Sequence, residues 1–361
     1  MSAWKYKRVM PKVIVAKLRL IEPNDIVELA GRRPRDVHSM LAKTSYQAEI
    51  SEIPVKQLSS ISLENALLKN FMRTCEEIMN HSPKSISFLL STILMKFEAN
   101  NVKAILRAKE AELSVDEAMK YIVPVGRLDE ARCLKILENS KSVSDVVELL
   151  SELEYGPVLK EALRGHEETR LLLPLAVALD KYVYGKIWRA AGKLRGLDKK
   201  IAGTVIGIEI DSMNIKVILR CRAMGINEDQ IRRYIIPVSE VFGEKELEDA
   251  IRAEDIKSSI ASLLEAAKLA LARDYRYVLT DLLREYEASQ SLSQLEMVLD
   301  RGLLKTSLRM LKRYTLFFNI GLILAFLNLK WFEVKNLRAV IRGVEDKVPS
   351  DKIRKLLVLP E

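Results

Sequence analysis

The decapeptide EANNVKAILR at residues 98–107 returns as DSMNIKVILR at residues 211–220 and as EVKNLRAVIR at residues 333–342. All three copies follow one pattern: an acid, two variable residues, Asn, an apolar residue, a base, Ala or Val, two apolar residues and Arg. On a helix the acid falls about 60° from the Asn, inside an apolar arc of about 40° to 140°. The two bases fall on the opposite side, at about 200° and 240°. The pattern therefore predicts a helix that buries its acid and its Asn and turns its bases away.

The equivalent positions of the three copies are the candidate functional residues. We interpret the acid and the Asn as structural clamps between neighbouring helices, because a semi-buried carboxylate needs hydrogen-bond or charge partners. The clamp residues are Glu98, Asn101, Asp211, Asn214, Glu333 and Asn336. The basic residues, which are either solvated or face a partner, are Lys103, Arg107, Lys216, Arg220, Arg338 and Arg342. A catalytic carboxylate repeated at three equivalent places is the less favoured interpretation.

The spacing of the copies predicts the domain organisation. They begin 113 and 122 residues apart, and a proline follows each Asn after 23 or 24 residues, at Pro124, Pro237 and Pro360. This period is too long for a stacked solenoid, whose repeats span about 20 to 50 residues. Head-to-tail contacts between similar domains close into a ring or continue as a spiral, and three units favour a pseudo-threefold ring with a central hole. The expected helical domains are residues 1–126, 127–240 and 241–361.

The remaining pattern is helical. Apolar residues recur at helical spacing, as in Leu63, Leu67 and Phe71, and aromatic residues make up only 6% of the chain. The one strand candidate, residues 204–210, aligns with helical segments of the other copies. Residues 314–329 form 16 uncharged positions, fewer than the roughly 20 that a spanning helix needs, so we interpret them as a core helix. The sequence predicts an all-α fold.

Charge and motifs limit the functions. The net charge of +9 is concentrated at residues 1–35 (+6) and 301–361 (+8), which fits nucleic acid, anionic headgroups, an acidic protein or solvated helix faces. The sequence has no phosphate-binding loop, no dinucleotide fingerprint and no nucleophile elbow. The three cysteines and three histidines lack metal-ligand spacing. These observations give no catalytic residue, no cofactor and no metal site.

The three decapeptides, each closed by an apolar residue and a proline, resemble the family of C subunits of archaeal A-type (V/A-type) ATP synthases, which is similar to the d subunit of the eukaryotic V-type ATPase. The resemblance covers essentially the whole chain. It departs at the third copy, which has one extra residue before its proline and Gly343 directly after its Arg. The family's N-terminal arginine-rich helix is only loosely matched, by residues 15–19.

The resemblance implies a non-catalytic, funnel-shaped socket in the central stalk of a rotary ATPase. One opening would receive the shaft subunits, and the other side would sit on the membrane rotor ring at the cytoplasmic face of the cell membrane. A peripheral component of this kind couples ATP synthesis or hydrolysis to proton or sodium transport, and it binds no nucleotide and no nucleic acid. For this role we expect a polar, charged lining.

Three other interpretations stay open at this point. A basic helical nucleic-acid-binding protein would be retained on DNA or RNA in a manner that falls steeply with salt. A free-standing helical scaffold would not co-purify with an ATPase. An enzyme would need a pocket with perturbed carboxylates near the decapeptides.

Overall fold

The protein is almost entirely helical in a computed structural model, which describes residues 3–54, 56, 58–238, 240–269, 273–314 and 318–359. Over these residues it has 19 α-helices and no β-strand, so the predicted all-α class is confirmed. Residues 204–210, the strand candidate, lie inside a long helix.

The helices fall into an N-terminal arm and three groups of six. The arm comprises a 3-10 helix, Ala3–Tyr6, and α1 (Met10–Leu18). The first group is α2 (Pro23–Leu29), α3 (Pro34–Leu41), α4 (Gln47–Ser51), α5 (Ser60–His81), α6 (Lys84–Glu110) and α7 (Val115–Met119). The second is α8 (Glu130–Asn139), α9 (Val143–Leu149), α10 (Gly156–Thr169), α11 (Leu173–Gly192), α12 (Gly196–Ala223) and α13 (Glu228–Tyr234). The third is α14 (Glu244–Arg252), α15 (Ile256–Leu269), α16 (Arg273–Ser289), α17 (Leu292–Tyr314), α18 (Ile320–Glu345) and α19 (Ser350–Lys355).

Local sequence explains several helix starts. Ser142 begins α9 with a capping box, in which its hydroxyl accepts from the amide of Asp145 at 3.1 Å and the Asp145 carboxylate accepts from the Ser142 amide. Asn227 caps α13 by accepting from the Gln230 amide at 3.0 Å.

The fourth and fifth helices of each group are the long ones, and the fifth carries the decapeptide. These six helices pack in a closed order: α5 against α6, α6 against α11, α11 against α12, α12 against α17, α17 against α18, and α18 back against α5. The last contact joins the third group to the first. The six helices therefore form a continuous circuit of neighbours.

The core follows from apolar faces of these helices. The larger apolar cluster runs from the arm, where Tyr6, Met10 and Val13 are buried, through α12, and it includes α18. A second cluster fills the space among α12 to α17. The cysteines are free and buried, and burial raises the pKa of the Cys221 thiol to about 11, so they act as small apolar side chains.

The uncharged stretch at residues 314–329, predicted as one core helix, is a core helix only from Ile320 onward, because Tyr314 ends α17 and the exposed Phe318 precedes the start of α18. Helix α18 begins at Ile320 behind the N-cap Asn319, and residues 320–327 are all buried in the protein. Residues 315–317 lie outside the described residues. Among the described helices, none is both long enough and apolar enough to cross a membrane.

Candidate functional site

Each repeat Asn binds the backbone of a residue 22 positions later through two hydrogen bonds. Asn214 Nδ2 donates to the carbonyl of Ile236 at 3.0 Å, and its Oδ1 accepts from the amide of the same residue at 2.9 Å. The three pairs are Asn101 with Val123, Asn214 with Ile236 and Asn336 with Val358. All three Asn side chains are buried. The partner residue stands one position before its proline in the first two copies and two positions before it in the third, which matches the spacings of 23, 23 and 24 residues.

The repeat acids of the first two copies accept from backbone amides where the next helix group starts. Glu98 Oε1 accepts from the amide of Arg127 at 3.0 Å. Asp211 Oδ2 accepts from the amides of Glu240 at 3.1 Å and Val241 at 2.8 Å. These donors lie shortly before α8 and α14, the first helices of the second and third groups.

The acid of the third copy reaches the beginning of the chain. Glu333 Oε2 accepts from the amide of Ile21 at 2.5 Å, and Oε1 accepts from the hydroxyl of Tyr46 at 2.6 Å. Ile21 lies just before α2, the first helix of the first group. The three acids thus bind the starts of the second, third and first groups, in cyclic order.

A buried lysine distinguishes this third contact. Lys330 Nζ lies 2.8 Å from Glu333 Oε1 and 3.9 Å from the centre of the Tyr46 ring, and Lys330 is 3% exposed. Burial lowers the pKa of Lys330, although the neighbouring Glu333 carboxylate acts in the opposite direction. The equivalent positions of the other two copies are Met95 and Ile208. The contact of the last group with the first therefore contains a buried ion pair within α18, packed against Tyr46 of the first group, that the other two contacts lack.

Five of the six repeat bases form salt bridges with the first long helix of the following group. The pairs are Lys103 with Asp180 at 2.8 Å, Lys216 with Asp300 at 2.8 Å, Arg220 with Glu296 at 2.6 Å, Arg338 with Glu64 at 2.7 Å, and Arg342 with Glu64. They connect α6 to α11, α12 to α17 and α18 to α5. These bases do point away from their own group, but the partners that they meet belong to the same chain.

Arg107 is the exception. It is exposed and has no acidic partner in the part of the chain that the structure describes. Arg220, the equivalent of Arg107 in the second copy, binds Glu296, which lies one turn before Asp300. The position one turn before Asp180 is Ala176, which has no carboxylate to offer Arg107. For Arg107 alone, a partner-facing role stays the simpler prediction.

A cavity of about 380 Å³ lies at the centre of the circuit and is lined by all six long helices. Two positions of each decapeptide helix face it, five residues and one residue before the repeat Asn. These lining residues are Lys96, Glu209 and Trp331, followed by Asn100, Met213 and Lys335. Equivalent faces of the three repeat helices therefore enclose one space.

The charged side of this cavity is paired. Lys96 Nζ lies 2.6 Å from Glu209 Oε1, and Asp300 lies between Lys216 at 2.8 Å and Lys335 at 2.5 Å. Burial acts to raise the pKa of Asp300, but the two ammonium groups outweigh it and hold that pKa below its usual value. The expected charged lining is present on this side.

The other side of the cavity is aromatic. The rings of Phe71, Phe97 and Trp331 have centres 4.6 to 5.4 Å apart, which is within the range of favourable aromatic contact. The lining is therefore partly apolar, a feature that the sequence pattern does not predict. Within the described residues, no group of His, Cys, Asp or Glu side chains could hold a metal ion.

The paired acids could have been found from spacing. Asp180, Asp300 and Glu64 lie 34, 36 and 37 residues before the Asn of their own repeat, although two of the three are Asp and one is Glu. The loop between the two long helices differs slightly in length from group to group. The similar placement of these acids is therefore recognisable only after the helix bounds are known. The partners of Glu333 had no such signal, because Ile21 is 312 positions away.

The fold and the repeated contacts define an all-helical repeat protein built around a central cavity. The chain matches the model of the family described as ATP synthase (C/AC39) subunit over residues 9–356, and it belongs to that family. The chain is thus a component of a membrane-associated ATP synthase, and its partners lie within that complex.

Archaeal relatives share most of the chain. It is 33% identical to the C subunit of the A-type ATP synthase of Methanothermobacter thermautotrophicus, over 84% of this chain and 76% of the relative. It is 28% identical to the protein of the same name from Methanocaldococcus jannaschii, over 95% of this chain and 82% of the relative. It is also 28% identical to that of Methanobrevibacter smithii, over 99% of this chain and 89% of the relative. These relatives confirm the family resemblance seen in the decapeptides.

Proposed function

We propose that this chain is the socket of the central stalk in an A-type ATP synthase. Its cavity side receives the end of the rotating shaft, and its opposite side sits on the membrane rotor ring at the cytoplasmic face. The observation that carries the proposal is the closed circuit of six long helices around one cavity, with α18 returning to α5. Family membership supports a place in the complex and leaves this position to be tested.

The three helix groups correspond to the three domains of the proposal, with boundaries near residues 126 and 240. The cyclic order of the acid contacts supports a pseudo-threefold, funnel-shaped arrangement, because Glu333 binds the start of the first group as Asp211 binds the start of the third. In this arrangement no group is terminal, and each is held by its two neighbours.

The contacts between groups suit a part that transmits torque. A buried carboxylate that accepts from backbone amides fixes direction as well as distance, and charge-assisted hydrogen bonds are stronger than neutral ones. Sliding of the third group against the first would take the buried Glu333 carboxylate away from the Ile21 amide and the Tyr46 hydroxyl, and a buried charge that loses its partners is costly. The walls would therefore turn together when a load is applied to one of them.

The cavity lining suits a partner that must bind without permanent hydrophobic adhesion. Paired charges on one side of the cavity give orientation, and the aromatic wall formed by Phe71, Phe97 and Trp331 gives an apolar contact. The cavity is small, so the shaft would insert only its tip or a few side chains.

Reconstitution tests this role. Membranes that hold the rotor ring are stripped of the chain and then mixed with the catalytic head and shaft, with or without the purified chain. We expect ATP-driven membrane potential to return only with the chain, whereas ATP hydrolysis by the free head does not need it. A potential-sensitive dye reads proton and sodium transport alike. Equal recovery of the potential without the chain would refute the proposal.

A further inference from the structure

Large apolar side chains are exposed together at the end of the molecule where the three decapeptide helices begin. Phe88 lies in the first turns of α6, Leu197 in the first turn of α12, and Phe318 directly before α18; they are 48%, 53% and 41% exposed. Trp4, in the 3-10 helix of the arm, is 74% exposed. We call these four residues the apolar end face.

Contacts along the chain show that the four residues belong to one surface. The arm is fixed to the start of α12, because Lys5 binds Asp198, the neighbour of Leu197. Asp198 also accepts from the amide of Ile320 at 3.4 Å, which joins the start of α12 to the start of α18. On the other side, Lys193 Nζ lies 5.0 Å from the centre of the Phe88 ring, which joins the start of α6 to the same segment.

The surroundings of the apolar end face are strongly basic. Segments 3–8, 84–88, 193–200 and 318–320 carry eight exposed Lys or Arg residues and a single acid, the buried Asp198. Lys7 lies over the Trp4 ring at 4.6 Å, so an aromatic side chain and a cation share one place on the surface. Elsewhere in the chain, five of the six repeat bases are paired with acids, whereas around the apolar end face the bases greatly outnumber the acids.

We propose that the apolar end face binds the surface of a bilayer that contains anionic lipids. Exposed Trp, Phe and Leu surrounded by Lys and Arg match the interfacial zone, where apolar side chains enter the acyl boundary and bases meet headgroups. Each base near an anionic surface adds attraction, and the effect falls off within a Debye length. An acidic peptide would use the bases but would leave four large apolar side chains in water.

This proposal deepens the membrane side of the proposed function and rests on it for the orientation of the chain in the complex. The decapeptide helices would stand with their first turns toward the bilayer. Their clamps would then lie 13 to 18 residues along the helix, about 20 to 27 Å from the headgroups at 1.5 Å per residue. The binding itself is a property of the full chain and can be measured without the other subunits.

Vesicle sedimentation tests the proposal with the purified full-length chain. We expect binding to vesicles of phosphatidylcholine with about one third phosphatidylglycerol, loss of that binding at high salt, and weak binding to phosphatidylcholine alone. Acyl chains brominated near the headgroup should quench tryptophan fluorescence in the wild type, and Trp4→Phe should remove most of that quenching. The triple variant Lys193→Gln, Lys199→Gln, Lys200→Gln should bind on the order of 100-fold more weakly.

A charge-matched variant separates this surface from general basicity. Lys120, Lys135 and Lys141 are exposed, and contacts of Lys109 and Arg342 place these segments near the far ends of α6 and α18. Their triple Gln variant should bind vesicles as the wild type does. Equal loss in both triple variants, or binding to neither vesicle type, would overturn the proposal. Binding only to the purified rotor ring would overturn it too, while leaving the socket role intact.

Discussion

Glu333→Gln should destabilise the protein far more than the same change at Glu98, the equivalent acid of the first copy. The Glu333 side chain is 4% exposed and accepts from Ile21, Tyr46 and Lys330. Glutamine keeps the shape but removes the charge, and its amide group turns a donor toward at least one of these donors. Lys330, itself 3% exposed, then loses its counter-charge. Breaking a buried ion pair from one side costs about 3–5 kcal/mol, a large share of a typical stability of about 5–15 kcal/mol.

The chain supplies both a control and a rescue. Within the described residues Glu98 accepts from one backbone amide and pairs with no ammonium group, so we expect Glu98→Gln to change the free energy of unfolding by about 1 kcal/mol or less. Met95 occupies the position equivalent to Lys330 in the first copy. The double variant Lys330→Met, Glu333→Gln removes both charges and should recover at least half of the loss, because a well-packed apolar replacement of a buried ion pair is often near neutral.

Urea unfolding followed by circular dichroism gives these free energies, and hydrogen exchange locates the effect. In Glu333→Gln the amide of Ile21 should lose protection, whereas in Asp211→Asn the amides of Glu240 and Val241 should lose it. The reasoning fails if Glu333→Gln and Glu98→Gln cost the same, or if the double variant is no more stable than Glu333→Gln.

Three further results are expected. Asp300→Asn should lower the free energy of unfolding at neutral pH by about 2–3 kcal/mol, because two lysines lose their shared carboxylate. The pKa of Asp300 is depressed in the folded state, so the difference in stability between wild type and variant should shrink below about pH 4 in pH-dependent urea titrations. Burial raises the pKa of Glu98, so its pH dependence has the opposite sign: the wild type should gain stability relative to Glu98→Gln as pH falls from 7 toward 4, and a flat difference would contradict the burial of that carboxylate. Asn214→Ala should cost about 2–4 kcal/mol by thermal or urea unfolding, because it leaves a buried amide and carbonyl unpaired, whereas Ser142→Ala, the loss of an exposed helix cap, should cost only about 1 kcal/mol.

The repeat made much of the fold predictable. Three copies of one pattern gave three independent views of the same helix, so the burial of Asn214 and its equivalents followed from angular position, and the candidate strand at 204–210 was recognised as helix. The regular spacing from each repeat Asn to its proline is visible in the sequence. The structure gives its physical cause, because each Asn binds the backbone near that proline.

Long-range partners were harder to predict. Helix periodicity shows that Lys216 points away from its own group, but not that Asp300, 84 residues later, meets it. Lys330 stands at a position that is apolar in the other copies. Its partner Glu333 is only three residues away, but Tyr46, which packs against both, comes from a distant segment and is seen only in the folded chain. The aromatic wall of the cavity likewise combines Phe71, Phe97 and Trp331 from three helices.

Photo-crosslinking from the cavity in the assembled ATP synthase tests the socket most directly. A photoreactive phenylalanine derivative replaces Asn100, an exposed residue of the cavity lining, and a matched variant carries it at Arg164 on the outer helix α10. We predict that irradiation joins the Asn100 variant, and not the Arg164 variant, to a shaft subunit, and that ATP-driven ion transport persists because socket and shaft turn together. A cavity position that never reaches the shaft, or that links to it no better than the outer position does, would contradict the socket.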